Sequence, residues 1–555
     1  MSLLHPRHTT TLRRPPSAPL FAVLALLTLV FFSLVGPIPV SAALQIGQVR
    51  KLNDGPIAEA RLSPDGAYAL FLAQQQPDLR LTLESVAFTG GASVPLSPEP
   101  ITEFGNLLYE ITADSARVVV LARPSGNDVP DLYSIPIGGG PATHLATDLP
   151  ANTTVSFFRI TPDSQTVLFQ AVASVGGLPG PSELFAIPVS GGSAPRRLNA
   201  PLAANETVRQ WELSKDGSDV VYLAGLDGGA MRLESALVAG GAPTTIDSFN
   251  LPFGVPQVDF KLSADGSRVV YQRPISLTEA QLFTAVTTSA APTAVSAPGD
   301  ANSFAIVGIT PDNSRVVYAA GPLSGTEGIY SAPLGATGTF ITLTGGLAPD
   351  SSFGGVLSPD GARVLVSAFS DATRRTSLSS IAVTGGAPFL IEPQLPSGGG
   401  ISLSRITPDS ARIVYREDRQ FYSVPIAGGS RVLIADEMDA AGTSQLFLLT
   451  FTADGKYMIF RGKLVGEPGY PLFITPVAEA GGLQRLSGQI VTVAGPPVSG
   501  GGAVGFSLDS TGGRAIFQGT SNPSGGTMAL YAVETGTQSG SDPSGKRLYL
   551  PLLRR

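Results

Sequence analysis

One short pattern recurs ten times along the chain, and it limits the fold more than any other feature of the sequence. The copies read LSPDGAYAL, ITADSARVV, ITPDSQTVL, LSKDGSDVV, LSADGSRVV, ITPDNSRVV, LSPDGARVL, ITPDSARIV, FTADGKYMI and, with a short insertion, FSLDSTGGRAIF. Their aspartates are Asp65, Asp114, Asp163, Asp216, Asp265, Asp312, Asp360, Asp409, Asp454 and Asp509, spaced 45 to 55 residues apart. A fixed period of this size marks a propeller, a solenoid or an array. It lets 555 residues form one body, because each unit buries its face on the next.

The seventh copy shows how a unit is built. Val356 and Leu357 end a short strand, and Ser358-Pro359-Asp360-Gly361 makes a turn. Proline presets φ, aspartate bonds back to nearby N–H groups, and glycine accepts positive φ. Arg363 to Val366 restarts an extended run whose unbroken apolar character suits a strand covered on both faces. SLSSIAVTGG then reads as a third strand closed by a Gly-Gly turn. That segment recurs as DLYSIPIGGG, ELFAIPVSGG, RLESALVAGG, QFYSVPIAGG and PLFITPVAEAGG. Pro136, Pro188, Pro425 and Pro476 cannot donate to a ladder, which places these third strands toward an edge or at a bulge. A short fourth strand follows, as in ATHLAT. Four antiparallel strands per unit make a propeller blade, and no helical period is sustained after the N-terminal segment.

Strand, SPDG turn, strand, aromatic-x-x-P strand and Gly-Gly turn together resemble the TolB-like propeller repeat over residues 44 to about 535. Similar repeats form the propeller of prolyl-oligopeptidase-type enzymes. The expected fold is all-β, with about ten four-stranded blades. Gln48 to Leu52 looks like a fourth strand that closes the last blade. Ten exceeds the usual four to eight blades, so the chain makes either one wide ring or two five-bladed rings. Five residues before the aspartates stand Tyr109, Phe158, Trp211 and Phe260 in copies two to five, with no aromatic in the later copies. With the small-residue stretch Thr287 to Asp300, this favours an internal boundary near 300, although the spacing does not break there.

Composition excludes several chemistries. There is no cysteine, hence no disulfide, thiolate metal site or cysteine nucleophile. A net charge of −7 gives no electrostatic footprint for nucleic acid. After His5 and His8, His144 stands alone, so no multi-histidine metal site can form. No G-x-S-x-G elbow occurs and no hydrolase domain follows, so the resemblance to peptidases stops at the propeller. Residues 1–42 have a secretory signal layout: Arg7, Arg13 and Arg14, the apolar run Leu20 to Val35, and the small-x-small site Val40-Ser41-Ala42. An uncleaved membrane anchor is the alternative. Residues 536–555 read as a linker ending in a short apolar patch and two arginines, able to dock, pair as a strand or act as a sorting signal.

The ten aspartates fall one per blade, too dispersed for a metal or an acid–base pair, and are expected to be structural turn residues. Four residues before them stand Arg61, Glu110, Arg159, Glu212 and Lys261, alternating in sign, and Arg405 recurs there in copy eight. Equivalent places on neighbouring inner strands should be close. These six are therefore expected to form inter-blade ion pairs, or a polar ligand site at the channel mouth. Arg117, Arg268, Arg315, Arg363 and Arg412 follow the aspartates by three and read as solvated or turn-pairing arginines. Trp211 reads as core. No catalytic residue, cofactor or metal ligand is assigned. The expectation is an exported, non-enzymatic propeller, periplasmic or at the cell surface. The TolB-like resemblance implies a protein partner at the envelope, and the alternative is a carbohydrate- or small-ligand-binding propeller. A hydrolase or lyase with a channel-mouth site is a third reading.

Overall fold

The computed structural model describes residues 44–537, apart from 76–79, 97–107, 123–129, 253–257, 296–302, 322–327, 371–374, 393–400, 437–448, 463–469, 491–504, 521–527 and some shorter stretches. The signal segment, the boundary suggested near 300 and nearly all of the tail lie outside the described residues. The chain divides into two compact units, residues 1–44 and 45–555, and the second carries every described strand.

That unit is a ten-bladed propeller made of ten antiparallel four-stranded sheets. Blade one comprises Ile57–Leu62, Tyr68–Gln75, Arg80–Ala87 and Val94–Pro95 in sequence order. The second strand of each blade supplies the core. In blade two, Arg117–Ala122 (RVVVLA) is buried from Val118 to Ala122 because neighbouring blades cover both its faces. Cross-strand aromatic pairs fill the space between second and third strands. Phe169 with Phe185, Tyr271 with Phe283, Tyr318 with Tyr330 and Phe460 with Phe473 all stack with centroids 5.6–5.9 Å apart.

The ring closes once, with the N-terminal strand as the outer strand of the last blade. Arg50–Lys51 pairs with Ala529–Glu534, Arg50 opposite Ala532 and Lys51 opposite Tyr531. Leu52 N–H donates to Leu530 O at 2.8 Å and Gly47 N–H to Glu534 O at 2.9 Å. Across the seam, Leu52, Ile57 and Phe71 share a core with Ile516, Leu530 and Ala532. Closing a sheet with a strand from the other end of the chain removes both exposed edges. Blades five and six pack like any other neighbours, Val270, Leu282 and Val295 against Ile306, Val316 and Tyr318. One wide ring is therefore formed, and not two five-bladed rings.

Two expectations need correction. The proline-bearing third strands are not edges, since each lies between the second and fourth strand of its blade. Proline is tolerated because it ends the strand beyond the reach of the short fourth strand. Pro136 sits opposite Arg117, whereas the fourth strand pairs only with Tyr133 and Ser134. Four of the repeated arginines are not solvated decorations. Arg117, Arg315, Arg363 and Arg412 each donate Nε to a third-strand serine hydroxyl at 2.7 Å, namely Ser134, Ser331, Ser380 and Ser423.

Antiparallel order sorts the connections by face. The aspartate turns and Gly-Gly turns all leave from one face of the ring. The connections between second and third strands, and those between blades, all leave from the other. Asp219 lies opposite Leu237 beside the turns, whereas Gly225 lies opposite Met231 at the far end.

Candidate functional site

The first strand of each blade pairs on one side only, and first strands of successive blades neighbour one another along the channel. Packed sheets stand roughly 10 Å apart, so ten inner strands cannot meet on the axis. Their free edges leave backbone groups that need partners. Side chains of the preceding blade provide them. Glu110 accepts Ile160 N–H at 3.1 Å, Asp259 accepts Ile306 N–H at 3.2 Å, and Ser507 accepts Leu62 N–H at 3.0 Å. In the other sense, Gln210 donates to Val258 O and Gln170 to Val208 O, both at 2.8 Å.

The alternating charges belong to this system. Arg159 bonds Glu110 at 2.6 Å and lies over the Phe157 ring. Arg61 bonds Glu59 at 2.8 Å, lies 4.8 Å from the centre of the Tyr109 ring, and feels the charge of Glu110. Burial pushes the Glu110 carboxyl up, against the pull of Arg159 and the Ile160 N–H. Burial pushes Glu212 up to about 7, opposed by Lys261 and the Leu262 N–H and reinforced by Asp259. The structure thus brings together Arg61, Glu110 and Arg159, and separately Glu212 and Lys261. Arg405 does not join them. It is exposed and donates to the carbonyl of Ser404 on its own strand. The equivalent places in blades seven and nine hold Val356 and Thr450, so no opposite charge is offered at those places.

Two members of the network, Glu59 and Asp259, were not among the expected residues. They stand six residues before the turn aspartates. First-strand irregularities between Ile57 and Ala60, and between Ile306 and Gly308, shift which residues face a neighbour.

The turn aspartates are structural and also reach between blades. Within each turn the carboxylate accepts nearby groups, as Asp360 does from Ser358 Oγ at 2.6 Å and from Ala362 N–H at 3.0 Å. Where serine replaces the turn glycine, its hydroxyl reaches the preceding blade. Ser115 accepts Asp65 N–H at 3.1 Å, Ser164 accepts Asp114 N–H at 3.0 Å, and Ser410 accepts Asp360 N–H at 2.9 Å. Asn313 bonds the Asp265 carboxylate, which Ser263 above all holds well below the usual range. These serines take positive φ, 58° at Ser410.

Other candidates resolve simply. Trp211 packs against the core between blades three and four, 5.6 Å from Phe157. His144 sits on the outer strand of blade two, bonded to Asp131 at 2.8 Å and stacked on Tyr133. Among the described residues, no group of three or more Asp, Glu or His is placed to hold a metal. Among them, too, no helix is long and apolar enough to cross a membrane.

No protein-family model matches the chain, and no curated protein sequence matches it. Solved structures do. A puromycin-hydrolyzing peptidase of Mycobacterium tuberculosis is 16% identical over 69% of this chain and 62% of its own, with a TM-score of 0.32. Dipeptidyl peptidase 4 of Porphyromonas gingivalis is 12% identical over 70% and 66%, with a TM-score of 0.44. A eukaryotic initiation factor is 12% identical over 70% and 96%, with a TM-score of 0.43. The chain spans less than two thirds of the first of these.

Proposed function

We propose that the protein is an exported, non-enzymatic scaffold that binds a protein partner at the cell envelope through its loop face. One observation carries this reading: the two faces differ in kind. One holds the short aspartate turns, near-uniform in sequence, with Gly-Gly turns in blades one to four and seven to nine, and the other holds the connections that differ most from blade to blade. Recognition concentrates on variable loops held by a rigid frame. Glu110 and Asp259 support the same reading, since Glu110 bonds Arg159 and Ile160 N–H and Asp259 bonds Ile306 N–H, each holding one blade to the next. The signal layout of residues 1–42 supports export, and the TolB-like repeat pattern supports the envelope.

Blades four and five supply a matched test. Leu226 and Ile275 are exposed at equivalent places on the loop face, 44% and 56% accessible. Leu237 and Val286 are exposed at equivalent places beside the turns. A photo-reactive amino acid placed at each of the four sites should give one recurring protein adduct in cells from Leu226 and Ile275 only. Equal capture from both faces, or no adduct from the loop face, would sink the proposal.

A further inference from the structure

The longest hairpin among the described residues belongs to blade three, Thr166–Val175 with Leu178–Pro188. Its register shifts between Val172 and Ser174, where the strand irregularity re-aims the ribbon. Beside it on the loop face lies a cavity of about 290 Å3. Ala171, Pro181, Phe185 and Leu202 make most of its wall apolar, and Glu183 lines it as the single charged group. Arg197, on the neighbouring outer strand, bonds Glu183 Oε1 at 3.1 Å.

The walls are fixed before any ligand arrives. On the opposite side of the hairpin, Ser182 donates its hydroxyl to Val208 O at 2.6 Å, and its N–H donates to Thr207 Oγ1 at 2.9 Å. The connection to blade four is pinned as well. Ala203 N–H donates to Glu206, whose carboxylate takes two bonds from Arg232, at 2.7 and 3.1 Å. Ala200 N–H donates to Tyr222 Oη at 3.0 Å. A cavity with prearranged walls loses little freedom on binding.

The chemistry is that of a small zwitterion with an aliphatic body. The apolar wall takes the body. Glu183 offers a carboxylate to an ammonium group, and Arg197, paired with Glu183 across the sheet and not itself part of the cavity wall, offers further N–H donors to a carboxylate. Held as a pair, the two side chains present opposite charges a few ångströms apart, as the two ends of an α-amino acid do. We propose that this cavity binds a free aliphatic α-amino acid. The proposal is independent of the protein-partner reading and concerns a different part of the loop face.

Calorimetric titration of the full chain with L-leucine, L-valine and L-proline tests it. Saturable binding of at least one is expected in the micromolar to low-millimolar range. Glu183→Gln and Arg197→Gln should each weaken it at least about tenfold, the loss of one charged hydrogen bond. Isoamylamine should depend on Glu183 alone and isovalerate on Arg197 alone. Ala203 is exposed, so Ala203→Phe narrows the mouth without disturbing the core and should also weaken binding. Thermal melting confirms that each variant folds. Absence of binding to all three amino acids overturns the proposal, as does binding that both charge variants leave unchanged.

Discussion

The hydroxyl of Ser507 accepts the N–H of Leu62 at 3.0 Å, joining residues 445 apart in sequence. The same kind of bond links Glu110 to Ile160 inside the ring, at 3.1 Å. The seam between last and first blade is therefore built like the other junctions of the inner wall. Closure is completed further out, where Arg50 donates to Phe88 O at 3.0 Å and Arg514 lies over the Phe88 ring.

Deleting residues 44–52 should open that seam. The deletion removes the outer strand of blade ten, the buried Leu52 and the bonds of Gly47 and Leu52. A loss of about 3–6 kcal/mol of local stability is expected from one lost aliphatic side chain and a few hydrogen bonds. Hydrogen exchange should show Ala529–Glu534 losing protection while blades three to six keep theirs.

At Ser410, glycine should be better tolerated than alanine. Both replacements lose the bond to Asp360 N–H, worth about 1 kcal/mol. Alanine must also hold the positive φ, which adds about 1 kcal/mol. Gly361→Ala should cost more than either, because φ is +72° and a Cβ would lie 2.3 Å from Pro311 Cδ. Denaturant midpoints of the three variants give the order.

Glu212 should make stability fall as pH rises. Its carboxyl goes from an unfolded value of 4.5 to about 7 in the fold, so between these the native state holds the extra proton. Stability from this group is greatest below pH 4.5 and is lost progressively up to pH 7, by at most about 3 kcal/mol. Glu212→Gln keeps an acceptor for Leu262 N–H and should flatten the profile in that window. It should also melt higher than the parent at pH 8. A profile unchanged by the substitution would contradict this.

Glu110 should separate charge from hydrogen bonding. Glu110→Gln keeps an acceptor for Ile160 N–H and loses the ion pair with Arg159, an expected cost of about 1 kcal/mol. Glu110→Ala also strands the N–H and should cost about 2–3 kcal/mol. In an Arg159→Met background the difference between wild type and Glu110→Gln should vanish, a coupling that a double-mutant cycle measures directly.

Blade number, strand order and ring closure were legible because each copy carries its own turn chemistry and an unmatched strand, Gln48 to Leu52, precedes the first blade. The pairing of Glu110 with Arg159 was legible for the same reason, since equal places in successive copies become neighbours in the ring, whereas Arg61 bonds Glu59 on its own strand. Arg405 was misassigned because a repeat position reports location and not the identity of its neighbours, which are uncharged in blades seven and nine. Glu59 escaped notice because an irregularity in its own strand changes facing without changing sequence spacing, and Asp259 because its partner Ile306 stands at such an irregularity in the next blade. The blade-three cavity was also hidden. Its hairpin is lengthened by a proline-bearing segment, Leu178 to Pro181, that reads as loop, and Glu183 meets Arg197 only across the sheet.

The turn serines bear on how such a chain is assembled. Ser115, Ser164 and Ser410 each reach back to the blade made before them, never forward. At these junctions, a blade emerging from the ribosome leaves its own turn N–H unfilled until its successor arrives. The growing arc is then fastened in the direction of synthesis, one blade behind the newest. Its loose end is always the youngest part of the chain, and intermediates that skip a blade lack the group that would stabilise them.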